Sequence, residues 1–484
     1  MGAWPRSFRD LHALLSWSFL VDGGCAAQTS MNVADLLSYQ AEAYPRLLQA
    51  LRTHGAALDG SDMGIGKTYM ASAVIRELGL PALVVAPKVT LPAWERVMTQ
   101  MGTEASLVNW EMVGRRLQYG HWLPLARRQK YPRFAWNPEI KFLVFDEAHR
   151  AKGQNTDNSF FVRAARACGI PALALSATAA QSPVDMQALA YLLRLYTTDF
   201  WSWARKFGCY PGTFGGLKFV DTFEYRVAVL KRLHHMIFEQ HELPVFGGKR
   251  IIEPRGIRLR AADVGDFPES QIRAELYDVA DPARVDQLYA EMKPQLDELR
   301  AKRSNDADLE HPLTRILRAR QELELLKVPT FVELAQDAMA SGYSVAIFMN
   351  FTESLQALAA KLRTRNIVDG SQSGARGESE RQDIVDCFQA NHSNLILLNV
   401  RAGGVGVRLH DEHGGHPRVA FHSPTYGAYD FRQASGRVQS ASAKSKSVQR
   451  IVLAARTVEV KIQHVLERKL ENLDLLNDGD CVIP

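Results

Sequence analysis

The chain has 484 residues, 46% of them hydrophobic and 23% charged, and carries a formal net charge of +5. That length serves about three compact units of ~150 residues each, and the mild basic charge suits a polyanionic partner without requiring one. No apolar run approaches the ~20 residues needed to cross a bilayer. Cys25, Cys168, Cys209, Cys387 and Cys481 are scattered and form no Cys-x-x-Cys pair, which excludes a disulfide framework and a zinc site and points to a reducing compartment, the cytoplasm.

At the N-terminus Arg6 and Arg9 precede an apolar stretch at 11–21, and Ala26 and Ala27 follow it. The pattern loosely imitates a signal peptide. The reading adopted is instead a disordered extension over 1–30, with the folded protein beginning near Met31.

The first strong signal is Ser61-Asp62-Met63-Gly64-Ile65-Gly66-Lys67-Thr68, which closes a Gly-rich loop and opens a helical stretch stopped by Gly79. Such a loop turns backbone N–H groups toward phosphates, brings the Lys67 ammonium to the outer phosphates and offers the Thr68 hydroxyl to Mg²⁺. Apolar runs at 82–86, 142–145 and 172–175 then read as buried strands. The second of them ends in Asp146-Glu147-Ala148-His149. An Asp at that place holds the metal, and the adjacent Glu orients or deprotonates the attacking water.

Between these strands, 114–138 interleaves Arg115, Arg116, Arg127, Arg128, Lys130 and Arg133 with Tyr119, His121, Trp122, Tyr131, Phe134 and Trp136 and has no acidic residue. Basic groups among aromatics can follow a phosphate backbone and stack on bases; alternatively, the aromatics pack on the domain beneath. Over 197–327 the texture changes. Leu288, Met292, Leu296 and Leu299 sit at helical spacing, with Pro294 expected to kink or divide the helix. A second set of apolar runs follows at 345–348, 395–398, 419–421 and 451–453. Runs apolar throughout suit parallel sheets covered on both faces, so two α/β domains are expected.

The order of further landmarks resembles the superfamily-two helicase-like ATPases, and most closely their Swi/Snf-type DNA translocases. Tyr39-Gln40 resembles the glutamine motif that reads adenine. Val84 to Glu95, with Pro87, Lys88 and Trp94, resembles the first nucleic-acid-contact motif. Leu175-Ser176-Ala177-Thr178 resembles the coupling motif, and Ala346 to Phe351 is similar to the motif opening the second domain. The segment from Asn399 through Gly403, Gly404 and Gly406 matches motif V, Gln433-Ala434-Ser435-Gly436-Arg437 matches motif VI, and Thr457-Val458-Glu459 resembles the closing element.

The resemblance implies two RecA-like parallel-sheet domains in tandem, with ATP and Mg²⁺ in the cleft between them and DNA, double-stranded in this class, lying across both. The domains expected are a first ATP-binding lobe at 31–196, a mainly helical insertion at 197–327, a second lobe at 328–475 and a tail at 476–484, in a monomer. It further implies phosphate and nucleotide binding by Gly64, Ile65, Gly66, Lys67, Thr68, Gly406 and Gln433, adenine selection by Gln40, and metal held by Thr68 and Asp146. Catalysis falls to Lys67, Asp146, Glu147 and Arg437, the last reaching over from the second lobe. His149 is a lobe-coupling residue in this family. Nucleic acid falls to Pro87, Lys88, Trp94, Gly403 and Gly404, together with Arg127 and Arg128 of the basic–aromatic stretch. One departure stands out. Motif VI normally carries a second Arg three residues after the first, and here that position is Ser440. A neutral hydroxyl does not replace a guanidinium, so Arg437 alone, Arg432, Lys444 or Lys446 from a shifted loop, or slow hydrolysis are the open readings. An ATP-responsive clamp and an RNA helicase of the same superfamily are the alternatives to a DNA translocase.

Overall fold

The computed structural model describes residues 36–459 apart from 126–130, 181, 198, 213–215, 221, 246–247, 265–269, 302–309, 370–373, 401–406, 425–430, 432–433, 441–442 and 458. Two six-stranded parallel sheets dominate it. The first contains β1 (Ala56–Asp59), β2 (Ala82–Ala86), β3 (Ser106–Asn109), β4 (Phe142–Asp146), β5 (Ala172–Leu175) and β6 (Gly256–Ile257), in the order β6-β1-β5-β4-β2-β3. Successive side chains point to opposite faces, and both faces are covered along β2, β5 and the first four residues of β4, which is why these runs are apolar throughout. Phe142 and Val144 of β4 pack with helices α1 (Ser38–His54), α2 (Lys67–Leu78) and α3 (Leu91–Met101). Leu143 and Phe145 pack on the other face, with α4 (Asp157–Ala167).

The second sheet contains β7 (Ser270–Tyr277), β8 (Ser344–Met349), β9 (Ile367–Val368), β10 (Leu395–Asn399), β11 (Arg418–His422) and β12 (Ser447–Ala454), in the order β7-β12-β11-β8-β10-β9. Here too the core is double. Val345, Ile347 and Met349 enter one cluster, and Ala346 and Phe348 enter the other. The expectation of two α/β lobes in tandem is met, because each apolar run became a strand buried on both sides.

The segment 197–327, expected as a mainly helical insertion, contributes to both lobes. After helix Phe223–Phe238 and an antiparallel hairpin of His241–Val245 with Gly248–Ile252, the chain returns to pair β6 with β1 in the first sheet. It then crosses to pair β7 with β12 in the second. Only afterwards come the helices Pro282–Ala301 and Glu310–Leu326. The first runs through Pro294 undivided, with Leu288 and Met292 buried against Leu323.

The basic–aromatic stretch forms a hairpin of Gly120–Leu123 with Arg133–Trp136. Trp122 and Phe134 lie 5.5 and 4.8 Å, ring to ring, from Phe161 of α4, and Trp136 donates its indole N–H to Phe161 O at 3.1 Å. These aromatics are core, so they are not stacking platforms for bases. Arg127 and Arg128 lie outside the described residues.

Candidate nucleotide cleft between the lobes

Parallel strands bring their carboxyl ends to one edge, so β1, β2, β4 and β5 deliver the Gly-rich loop, Pro87, Asp146 and Ser176 to the same rim. The loop leaves β1 at Asp59 and turns through Gly64 and Gly66, at φ +78° and +91°, a conformation glycine adopts without strain. Lys67 then opens α2. Its ammonium donates to Ser61 O at 2.8 Å and to Asp62 O at 2.9 Å. Burial lowers its pKa, against the opposing pull of Asp59, Glu147, Asp62 and Asp146. Thr68 follows in the first turn, half-buried.

Gln40 is buried, and both ends of its amide are committed to the chain. Its Nε2 donates to Ile65 O at 2.6 Å, and its Oε1 accepts from Leu37 N at 3.0 Å. Tyr39 adds its hydroxyl to Ile65 O at 3.0 Å. The pair expected to read adenine thus braces the phosphate loop, and the Gln40 amide keeps one further N–H and one further lone pair.

At the end of β4, Asp146 and Glu147 sit side by side. Burial, and then the Glu147 charge, push the Asp146 carboxyl up. Burial alone would raise Glu147 too, but hydrogen bonding and charge from His149, with Arg437 and Lys67 beyond, outweigh it and hold Glu147 low. Glu147 takes the left-handed conformation at φ +52°, which costs a non-glycine residue and is typical of functional turns. His149 Nδ1 lies 3.3 Å from Glu147 Oε2 and 3.2 Å from Ser176 Oγ, linking the carboxylate to the Ser176–Thr178 turn.

The second lobe supplies the opposite wall. Arg437 Nη2 reaches to 4.0 Å from Glu147 Oε1. A side-chain carbon built on Gly64 would lie 2.8 Å from Ser440 Cα, and one on Gly436 would lie 2.1 Å from Met63 Sδ. The lobes therefore meet over the phosphate loop, and only glycines permit the approach.

A family model described as the helicase conserved C-terminal domain matches residues 327–442. A protein of Acanthamoeba polyphaga mimivirus, provisionally named as an ATP-dependent RNA helicase, is 32% identical over 470 residues, 92% of this chain and 84% of its own length. The chromatin remodeling factor mit1 of Schizosaccharomyces pombe is 30% identical over 139 residues, 28% of this chain and 10% of that protein. The chain belongs to the superfamily-two helicases of the Swi/Snf type. Among solved structures, Saccharomyces cerevisiae Dbp5 bound to RNA and ADP BeF3 aligns over 91% of this chain and 93% of its own, at 12% identity and a TM-score of 0.48.

A helicase of this type is an ATP-dependent nucleic-acid enzyme, and the rim fits the nucleotide the family uses. Two glycines at positive φ, a lysine ammonium resting on its own loop's carbonyls and the start of α2 form an anion cradle. No group of three or more His, Cys, Asp or Glu could hold a metal by itself among the described residues. Mg²⁺ takes one or two protein groups plus substrate phosphates, and Thr68 and Asp146 are the groups expected to meet it.

The remaining expectations divide. Lys88 is exposed at the rim, while Pro87 is buried. Trp94, expected on nucleic acid, is only 1% exposed, and its indole N–H donates to Asp146 Oδ2 at 2.9 Å. It cannot stack on a base, because α3 turns it inward under β4. Gly403, Gly404, Gly406 and Gln433 lie outside the described residues. Sequence reading missed Arg381 and Arg408, whose charges reach Arg437. Arg408 adjoins Leu409, whose N–H donates to Arg437 O at 2.9 Å. No motif marks either residue; only the pairing of distant segments brings them to the cleft.

Proposed function

We propose that the chain is a translocase that couples ATP hydrolysis to movement along double-stranded DNA. The observation carrying this reading is the approach of Arg437, from the second lobe, to 4.0 Å from Glu147 of the first. A hydrolytic carboxylate and a cation on separate lobes make turnover depend on closure, and closure is what a polymer lying across both lobes can control. In this reading Lys67 and the loop amides hold the phosphates, and Thr68 and Asp146 hold Mg²⁺. When bound there, Mg²⁺ would supply charge neutralisation for the phosphate oxygens. Glu147 orients the water, and Arg437 leaves Glu147 for the γ-phosphoryl oxygens. Exposed Lys88 at the rim contacts the DNA backbone, and the protein acts as a monomer. No described helix is long and apolar enough to cross a membrane.

Relatedness to a chromatin remodeling factor supports duplex DNA. The name of the mimivirus relative favours RNA as the second reading. Steady-state ATPase measured with duplex DNA, single-stranded DNA and RNA, with Glu147→Gln as the inactive control, separates them. Stimulation by duplex DNA above the other two polymers is expected. Stimulation by RNA alone would replace the reading with the second one, and none by any polymer would leave an ATP-responsive clamp.

A further inference from the structure

We infer that Trp94 is a positioning residue for the metal-holding carboxylate of Asp146. The inference rests on the cleft reading above. A buried indole N–H needs an acceptor, and two indoles from different elements converge on this one residue. Trp94 of α3 donates to Asp146 Oδ2 at 2.9 Å, and Trp110 donates to Asp146 O at 3.0 Å. Glu147 N donates to Asp146 Oδ1 at 3.0 Å. The carboxylate is therefore held at both oxygens and its backbone carbonyl is pinned by Trp110, while Oδ1 keeps a further lone pair for a metal or its water.

The start of α3 also joins that carboxylate to the exposed rim. Thr90, four residues before Trp94, places its hydroxyl oxygen 2.9 Å from Pro87 O and 3.4 Å from Asp146 Oδ2. The hydroxyl has one proton for two acceptors, one in the turn carrying Lys88 and the other in the metal site. Groups that orient a metal ligand typically cost about 10–100-fold in metal affinity or activity when removed. The burial and hydrogen bond of Trp94 fit that role, whereas a purely packing tryptophan would be served by any backbone carbonyl.

The test is the affinity for N-methylanthraniloyl-ADP, measured by fluorescence with Mg²⁺ and again in EDTA. Trp94→Phe keeps the ring and loses the donor. It should forfeit about tenfold of the affinity that Mg²⁺ confers and leave the affinity in EDTA unchanged. Thr90→Val, at a half-buried position, should show a smaller loss of the same kind. Trp136→Phe removes a comparable buried indole bond, to Phe161 O, in the same lobe. It should keep the full magnesium gain even if it lowers stability. Full retention of that gain by Trp94→Phe, or an equal loss in Trp136→Phe, would overturn the inference. Absence of any magnesium gain in the wild-type chain would instead overturn the cleft reading, and this inference with it.

Discussion

At the scale of single residues, the cleft is unusual at Ser440. Its backbone sits directly over Gly64, so position 440 does face the phosphate loop, and a hydroxyl stands where the resemblance of motif VI leads one to expect a guanidinium. An added charge-assisted hydrogen bond is worth about 1.5–3 kcal/mol. Ser440→Arg should accordingly raise polymer-stimulated kcat by about tenfold or more; unchanged or lower kcat would show that a guanidinium at position 440 does not reach the transferring phosphoryl group. Much of the cleft was legible at this scale. Lys67, Thr68, Asp146 and Glu147 are short-range motifs whose chemistry requires their neighbours in sequence. Trp94 was legible as a landmark and illegible in orientation, since the same Pro-Lys-x-x-x-x-x-Trp spacing is compatible with an exposed or an inward-facing ring. Trp122, Phe134 and Trp136 pose the same problem: their types suit either base stacking or packing, and only α4 folding against them selects the core, while Tyr131 stays exposed.

Among the elements, the second lobe closes on a buried ion pair. Lys327, in the turn between helix Glu310–Leu326 and the next helix, Val328–Ala340, donates to both carboxylate oxygens of Glu459 at 2.6 and 2.7 Å. Their side chains are 3% and 1% exposed. Tyr289 OH and Ala454 N also donate to that carboxylate. The pair thus ties helix Pro282–Ala301, the lobe's first core helix and the end of β12 into one node. Breaking a buried pair by removing one partner costs about 3–5 kcal/mol because the other charge stays buried. Glu459→Gln should lose stability of that order in chemical denaturation followed by circular dichroism. A loss under about 1 kcal/mol, the range of surface pairs, would mean that the lobe closes without this node. The sequence marked Thr457 to Glu459 as an ending by resemblance. It held no sign of Lys327 as the partner, since the two positions meet only once the sheet has formed.

In the whole molecule, the connection between lobes is fastened to the phosphate loop. After β6 the chain runs alongside the loop. Arg258 Nη2 meets Asp62 Oδ1 at 2.6 Å, Leu259 N donates to Ser61 Oγ at 3.1 Å and Ala261 N donates to Asp62 Oδ2 at 2.9 Å. From there it passes to β7 at the edge of the second sheet. A two-residue strand, reached only after the long excursion beyond β5, carries no periodic signal, so this return was hidden from sequence reading even though the two sheets themselves were plain. The consequence is that the part of the chain joining the lobes is bonded directly to the part that would cradle phosphate, with Arg437 approaching from the far side. The account therefore stands or falls on whether hydrolysis needs both walls. The most direct measurement is steady-state ATPase of the wild type and of Arg437→Ala, each with and without saturating duplex DNA. Removal of an arginine that stabilises transferring phosphoryl charge costs about 10³–10⁵-fold in kcat, so Arg437→Ala should lose DNA-stimulated turnover by about three orders of magnitude while still binding nucleotide. Turnover in Arg437→Ala equal to that of the wild type would contradict a hydrolytic site shared between the lobes.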